Sequence, residues 1–150
     1  MKAVLVALAI TALSVVQPAE QPIVGSWTAK FEGRTFIRLE ITSVNGMLGG
    51  GMSLGNIQVD PQGVVKTVET APSILTPIFG IVRNGSIVTF FMKEGNDTDE
   101  FELRLRENAD ADLHFILNEA DRKELAAAGV PPPKPIHLSR SEAGRIGAGE

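Results

Sequence analysis

The residue types that carry catalysis and metal binding are thinly spread along this sequence. It contains two histidines, His114 and His137, and no cysteine, which excludes disulfides, thiol catalysis and cysteine zinc sites. A zinc site needs several ligands that converge. Asp112 and His114 share one face of a strand, and we interpret them as a small polar pair on a solvated surface. We therefore expect no catalytic residue, no metal site and no cofactor.

Three further segments have compositions that bind ions or partners in other proteins. Residues 94–100 concentrate oxygen ligands but lack the spacing of an EF-hand calcium loop. The glycines at positions 49–51 lack the lysine and the helix of a phosphate loop, and they predict a bend in a strand. We interpret the prolines at positions 131–133 as a stiff connector, with a polyproline ligand for a partner protein as the alternative.

Charge and length limit the classes of function. The chain has 150 residues, with 14 Lys and Arg against 18 Asp and Glu, and a formal net charge of −4. It has no basic run, whereas binding to nucleic acid needs clustered Lys and Arg that neutralise phosphates. We therefore expect no nucleic-acid partner. The length predicts a single domain that is large enough to bury a core.

The first residues have the layout of a secretory signal peptide. Lys2 is followed by an uncharged apolar run and then by Pro18, which matches a basic start, an apolar stretch of roughly 7–15 residues and a helix-breaking end. We predict a signal peptide at residues 1–19 that is cleaved after Ala19. Cleavage after Ser14 and a retained N-terminal anchor are the alternatives. A membrane-spanning helix needs roughly 20 apolar residues, so we expect a soluble, periplasmic or secreted protein with no membrane span after cleavage.

The remaining chain predicts a barrel of antiparallel strands. Apolar and β-branched residues alternate with polar ones in short runs, which is typical of strands with one face inward. Turn residues separate the runs, most clearly at Asn45-Gly46, a strong hairpin signal. Regular spacing and short connections predict an all-β meander that closes into a small, about eight-stranded, lipocalin-like barrel. The predicted strands are residues 23–31, 34–44, 47–54, 56–60, 64–70, 78–83, 86–92, 100–106 and 111–117, of which 64–70 also fits a single helical turn.

The hydrophobic period changes beyond residue 117. Asn118 can cap a helix that has acidic residues in its first turn and Gly129 after its end, which predicts one short C-terminal helix at residues 119–128. We expect residues 136–138 to dock on the barrel. The predicted β domain then covers residues 20–138, and residues 139–150 form a flexible C-terminal tail.

A short motif opens the first strand. Gly25-Ser26-Trp27 is followed by Thr35-Phe36 and by a Gly-x-Leu-x-Gly pattern at residues 46–50. Over about thirty of the 150 residues this arrangement resembles the calycin-like barrels, meaning lipocalins and avidins. In that family the tryptophan plugs the closed end of the barrel and often stacks under a basic side chain. The resemblance implies Trp27 as the barrel plug and Arg140 as its basic partner, and an ordinary core tryptophan is the alternative.

The resemblance is one of shape, and shape does not fix function. Avidin-like biotin sites use tyrosine and several tryptophans, whereas this chain has no tyrosine and one tryptophan. We expect a ligand cavity to be lined by apolar side chains of the predicted strands. These lining residues are Phe31, Ile37, Leu39, Phe91, Phe101, Leu103 and Phe115.

Three functions are compatible with this sequence. The first hypothesis is an exported, non-enzymatic, lipocalin-like β-barrel that binds a small apolar or amphipathic ligand. The alternative is a structural or protein-interaction module of the cell envelope, either a homodimer or bound to an envelope protein. Its contact surface would be Val88, Phe90 and Met92, because the hairpin at residues 78–92 is apolar on both faces. A hydrolase or isomerase of unrecognised type is the third.

Overall fold

A computed structural model describes residues 22–141 of the chain. The predicted signal peptide at residues 1–19 and the last nine positions of the predicted tail lie outside the described residues. Ten strands and one helix follow each other along the described chain. They are β1 (Gly25–Phe31), β2 (Arg34–Val44), β3 (Met47–Leu54), β4 (Ile57–Val59), β5 (Val65–Val68), β6 (Thr76–Asn84), β7 (Ile87–Glu94), β8 (Asp97–Leu105), β9 (Asp110–Ile116), α1 (Glu119–Ala127) and β10 (Ile136–Ser141).

Eight of these strands form a closed antiparallel barrel. Their order around the barrel is β1-β10-β9-β8-β7-β6-β3-β2, and every neighbouring pair is antiparallel. This confirms the predicted all-β fold with about eight strands and one short helix. The architecture is consistent with a small calycin-like barrel.

The strand that completes the barrel is β10. It pairs with β1 on one side and with β9 on the other, and its Ile136 and Leu138 side chains are buried. The predicted tail was placed too early, since Ser139, Arg140 and Ser141 belong to β10. The alternation of buried and exposed residues continues through them, so they extend the strand instead of leaving the barrel.

Two of the predicted strands do not join the barrel. β4 and β5 pair only with each other, as a separate two-stranded hairpin. This β4–β5 hairpin packs against the core through Ile57, Val65 and Val68. It lies at the end of the barrel where β1 finishes, because β3 leads into it and β6 starts after it at the same end.

A β-bulge explains the one apolar residue that interrupts the polar face of β2. Ala29 pairs with Ile37 and Lys30 pairs with Thr35, so Phe36 is an extra residue without a partner in β1. A bulge re-aims the side chain of the bulged strand. Phe36 and Ile37 are consequently both buried, although they are adjacent in sequence.

The two ends of the barrel differ in their connections. At the Trp27 end, where β1 begins and β10 finishes, short turns join β2 to β3, β6 to β7 and β8 to β9. At the Phe31 end, where β1 finishes, two long connections leave the barrel, residues 55–75 and residues 117–135. The first carries the β4–β5 hairpin and the second carries α1. Asn118 caps α1 by accepting a 2.7 Å hydrogen bond from the backbone N–H of Asp121.

Candidate functional site

The interior of the barrel is packed with the protein's own side chains. The largest of the fully buried residues come from seven strands of the barrel, and they form one continuous apolar cluster. Phe90 stacks on Phe101 with 5.4 Å between ring centroids, and Phe101 and Phe115 form a T-shaped pair with 5.5 Å between centroids. Protein cores are packed as densely as organic crystals, so a ligand cannot enter among these residues without unpacking them.

The predicted lining residues divide into three groups. Ile37, Leu39, Phe101 and Leu103 belong to the packed interior, where each is at most 2% exposed. Phe31 and Phe115 are partly buried and pack against that interior. Phe91 stacks instead on Phe79, at 5.8 Å, on the outer surface of the barrel.

Two predictions for β7 were therefore wrong: Phe91 does not line the interior, and Val88, Phe90 and Met92 do not form an exposed contact surface. Val88, Phe90 and Met92 are the buried residues of β7, and strand alternation then turns Ile87 and Phe91 outward. An apolar run on both faces does not reveal which face is inward. The apolar residues that reach solvent on this hairpin are Phe79, Val82 and Ile87.

Trp27 and Arg140 meet at the end of the barrel where β1 begins. They are direct partners in the pairing of β1 with β10, so both lie on the inward face. The Trp27 Nε1–H donates a 2.9 Å hydrogen bond to the carbonyl of Ile23, and Arg140 donates one of 2.8 Å to the carbonyl of Val24. The structure thus brings together the two residues that the resemblance paired, and their bonds hold the segment before β1 across this end.

Gly25 shows why the Gly-x-Trp motif begins with glycine. Its φ is +141°, and a Cβ at this position would lie 2.9 Å from the backbone oxygen of Ser141 and 3.4 Å from the Cγ and Cδ of Arg140. A side chain would therefore collide with β10. The absence of a side chain lets β10 pack closely against β1 beside Trp27.

An open groove lies at the opposite end of the barrel, where β1 finishes. Its volume is about 350 Å³. One side is the end of β1 with Phe36 of β2, another is the loop that leads into β5, and the third is the segment that leads into β10. The lining residues are Ala29, Lys30, Phe31, Phe36, Gly63, Val64, Val65, Lys134, Pro135, Ile136 and His137. We call this site the Phe31 groove.

A backbone hydrogen bond joins two sides of the Phe31 groove. The N–H of Lys134 donates a 3.0 Å hydrogen bond to the carbonyl of Gly63, which links the turn of the β4–β5 hairpin to the proline-rich connector. Gly63 has a φ of +82°, and a Cβ there would lie 2.7 Å from the carbonyl oxygen of Pro132. The two long connections can therefore approach each other this closely because residue 63 is glycine.

The ionisable residues that line the groove are of the basic types. Lys30, Lys134 and His137 contribute to its lining, which includes no carboxylate. His137 lies 3.5 Å from a carboxylate oxygen of Asp110 and 3.6 Å from one of Asp112, so this side chain already has acidic neighbours on the barrel wall. Among residues 22–141, neither Lys30 nor Lys134 forms a salt bridge.

The remaining polar candidates sit outside this groove. Asp112 forms a salt bridge with Arg106, with 2.6 Å between its carboxylate oxygen and the Arg106 Nε. His114 lies opposite Glu102 in the pairing of β9 with β8. Near the start of β8, burial raises the pKa of the Asp99 carboxyl, and the negative charges of Glu94, Asp121 and Asp97 raise it further. Within residues 22–141, no three His, Asp or Glu side chains are grouped so that they could hold a metal ion.

Most of the groove was missed by reasoning from sequence. Of its residues only Phe31 was predicted to line a ligand site. Phe36 carried a signal, as the one apolar residue on a polar face, but Gly63 and Lys134 are 71 positions apart and share no local pattern.

Comparison with known proteins adds no relative. No protein-family model matches this chain, and searches of curated proteins and of solved structures find none that matches it. Helix α1, the one helix described between residues 22 and 141, is not long and apolar enough to span a bilayer.

Proposed function

We propose that this chain is a non-enzymatic, exported binding protein that holds a small apolar or amphipathic molecule in the Phe31 groove. The observation that carries the proposal is the groove itself, an opening with apolar walls on a rigid barrel whose interior is full. Export is inferred from the pattern of residues 1–19, with the periplasm or the outside of the cell as the destination.

The walls of the groove favour an apolar occupant. Phe31, Phe36, Val65 and Ile136 line it, and its volume of about 350 Å³ lies at the lower end of the 300–1,000 Å³ range of ligand pockets. Burial of apolar surface stabilises a complex by about 25 cal/mol per Å² removed from water. Binding at this rim leaves the packed core intact, whereas binding on the barrel axis would disrupt it.

A neutral fluorescent probe tests the proposal. N-phenyl-1-naphthylamine is titrated into the protein and into two matched variants, Val64→Glu and Val82→Glu. Val64 lines the groove and is 46% exposed, while Val82 is 59% exposed on the outer surface of β6. A carboxylate introduced into the groove should weaken probe binding by about tenfold or more, and the same change at Val82 should leave it unaltered. Absent probe binding, or equal weakening by both variants, would refute the groove as the binding site.

A second candidate function is self-association through the outer face of β6 and β7. Phe79 is 46% exposed and stacks on Phe91, with Val82 and Ile87 also exposed nearby. Exposed apolar patches of this kind mark interaction surfaces in soluble proteins. Sedimentation of the wild type and of Phe79→Ser tests it, since a dimer that the variant converts to a monomer supports the interface. A wild-type protein that stays monomeric at high concentration would oppose it.

A further inference from the structure

We propose that the Phe31 groove selects a single-chain molecule with an anionic carboxylate head, which Lys30 and Lys134 bind at the rim while the chain lies on the apolar walls. This inference rests on the proposed function of the groove and specifies the chemistry of its ligand. The observation behind it is the pair of lysines at the groove, which is separate from the volume and the apolar walls that support the proposed function.

The two lysines reach the groove from different parts of the fold. Lys30 belongs to the end of β1, and Lys134 belongs to the connector before β10. Both residues are exposed, so a ligand in the groove can reach them from solvent. The hydrogen bond between the backbone groups of Lys134 and Gly63 fixes the connector in place, which keeps the second lysine beside the groove.

The charge of the groove is opposite to that of the whole chain. The protein has a formal net charge of −4, yet the lining of this groove has two lysines and no carboxylate. His137 already has two aspartates beside it, whereas Lys30 and Lys134 have no acidic partner among residues 22–141. Two uncompensated ammonium groups beside apolar walls complement a carboxylate that is attached to a hydrocarbon chain.

The exposure of the lysines sets the size of the expected effect. Ion pairs at solvent-exposed positions are weakened by hydration and by salt, so each lysine should improve binding by at most about fivefold. Together they should favour an acid over the alcohol of the same length by about tenfold at low ionic strength. The preference should shrink as salt is added, because screening weakens the attraction between the charges and leaves the apolar contact unchanged.

Decanoate and decan-1-ol provide the matched pair of probes. Each displaces N-phenyl-1-naphthylamine from the wild-type protein, from the double variant Lys30→Gln/Lys134→Gln, and from the control Lys93→Gln/Lys123→Gln. The control removes the same charge from exposed positions on β7 and α1 that do not line the groove. Circular dichroism of all three proteins serves to check that each is folded.

The outcomes separate this inference from the function on which it rests. We expect the wild type and the control to bind decanoate about tenfold more tightly than decan-1-ol. The groove variant should bind decanoate with the same affinity as decan-1-ol. Equal affinity of the wild type for the two probes would overturn the carboxylate inference and leave an apolar binding groove. Equal loss of preference in the control would show that net charge, and not Lys30 and Lys134, attracts the acid. Failure of both probes to bind would overturn the proposed function as well.

Discussion

The two ends of the barrel are built by opposite means. Where β1 begins, short turns and a few specific contacts close the barrel, with Trp27 and Arg140 bonded to the backbone of the segment before β1. Where β1 finishes, the residues at 55–75 and at 117–135 form long connections that meet at Gly63 and Lys134 and leave a groove between them. Binding residues are often found on long loops that a rigid scaffold positions. We therefore expect the Trp27 end to contribute most to stability, whereas the Phe31 end carries the proposed binding site.

The largest loss of stability should come from substitution of Trp27 at the Trp27 end. Trp27 is 1% exposed, so Trp27→Ala removes a large buried side chain and leaves a cavity, which typically costs about 3–5 kcal/mol. We expect this loss in urea unfolding. Trp27→Phe should cost less, because it keeps most of the ring while it loses the hydrogen bond to Ile23. A small change for Trp27→Ala would mean that this end does not carry the stability.

Arg140 should come next. Arg140→Met keeps the aliphatic part of the side chain and removes the hydrogen bond to the carbonyl of Val24, which leaves that acceptor without this partner at a cost of about 1–3 kcal/mol. The control is Arg38→Met, an exposed position on β2, where we expect a change within about 0.5 kcal/mol. If the two variants unfolded at the same urea concentration, the contact of Arg140 would not stabilise the closed end.

Gly63 provides the corresponding test at the Phe31 end. Gly63→Ala and Gly46→Ala both place alanine at positive φ, +82° and +77°. The added Cβ would have neighbouring atoms within 4 Å at residue 63 but none at residue 46. Both should lose about 1 kcal/mol from the backbone conformation alone. Gly63→Ala should in addition accelerate hydrogen exchange at the amide of Lys134 by about tenfold, because the added methyl group pushes the connector away. Equal exchange at Lys134 in the two variants would exclude a tight contact between the connections.

The smallest effect concerns Asp99 at the Phe31 end. Burial and the nearby charges of Glu94, Asp121 and Asp97 raise the pKa of its carboxyl above the usual 3.8. The folded state therefore binds the proton more tightly than the unfolded state, and the stability due to this group falls as the pH rises from the unfolded to the folded pKa. Asp99→Asn should stabilise the protein at pH 7, by within about 0.5 kcal/mol.

The stability gained from Asp99→Asn should depend on pH. The gain from Asp99→Asn should disappear when the pH falls below the unfolded pKa, because the carboxyl is then neutral in both states. Urea unfolding at pH 7 and at low pH measures both values. Glu107→Gln, which removes the same charge from a residue between β8 and β9, is the control and should not reproduce the gain. A loss of stability at pH 7 would contradict the raised pKa.

Local pattern predicted the individual elements well. The alternation in β1, β8 and β9 set their inward residues, and the predicted turn at Asn45-Gly46 is confirmed by positive φ at both residues. The predicted helix cap at Asn118 is confirmed by its hydrogen bond. These features depend on neighbours within a few positions, so the sequence of each segment determines them.

The sequence by itself determined the strand periodicity, the turns, the capped helix, the absence of cysteine chemistry and the all-β antiparallel class of fold. The tertiary structure alone decided that β10 completes the barrel, that β4 and β5 leave it, and that Phe91 faces outward while Phe36 is buried. It alone brought Gly63 and Lys134 together across the Phe31 groove. Periodicity reports which residues share a face, but which face is inward, and which strands pair, depends on contacts between segments distant in sequence.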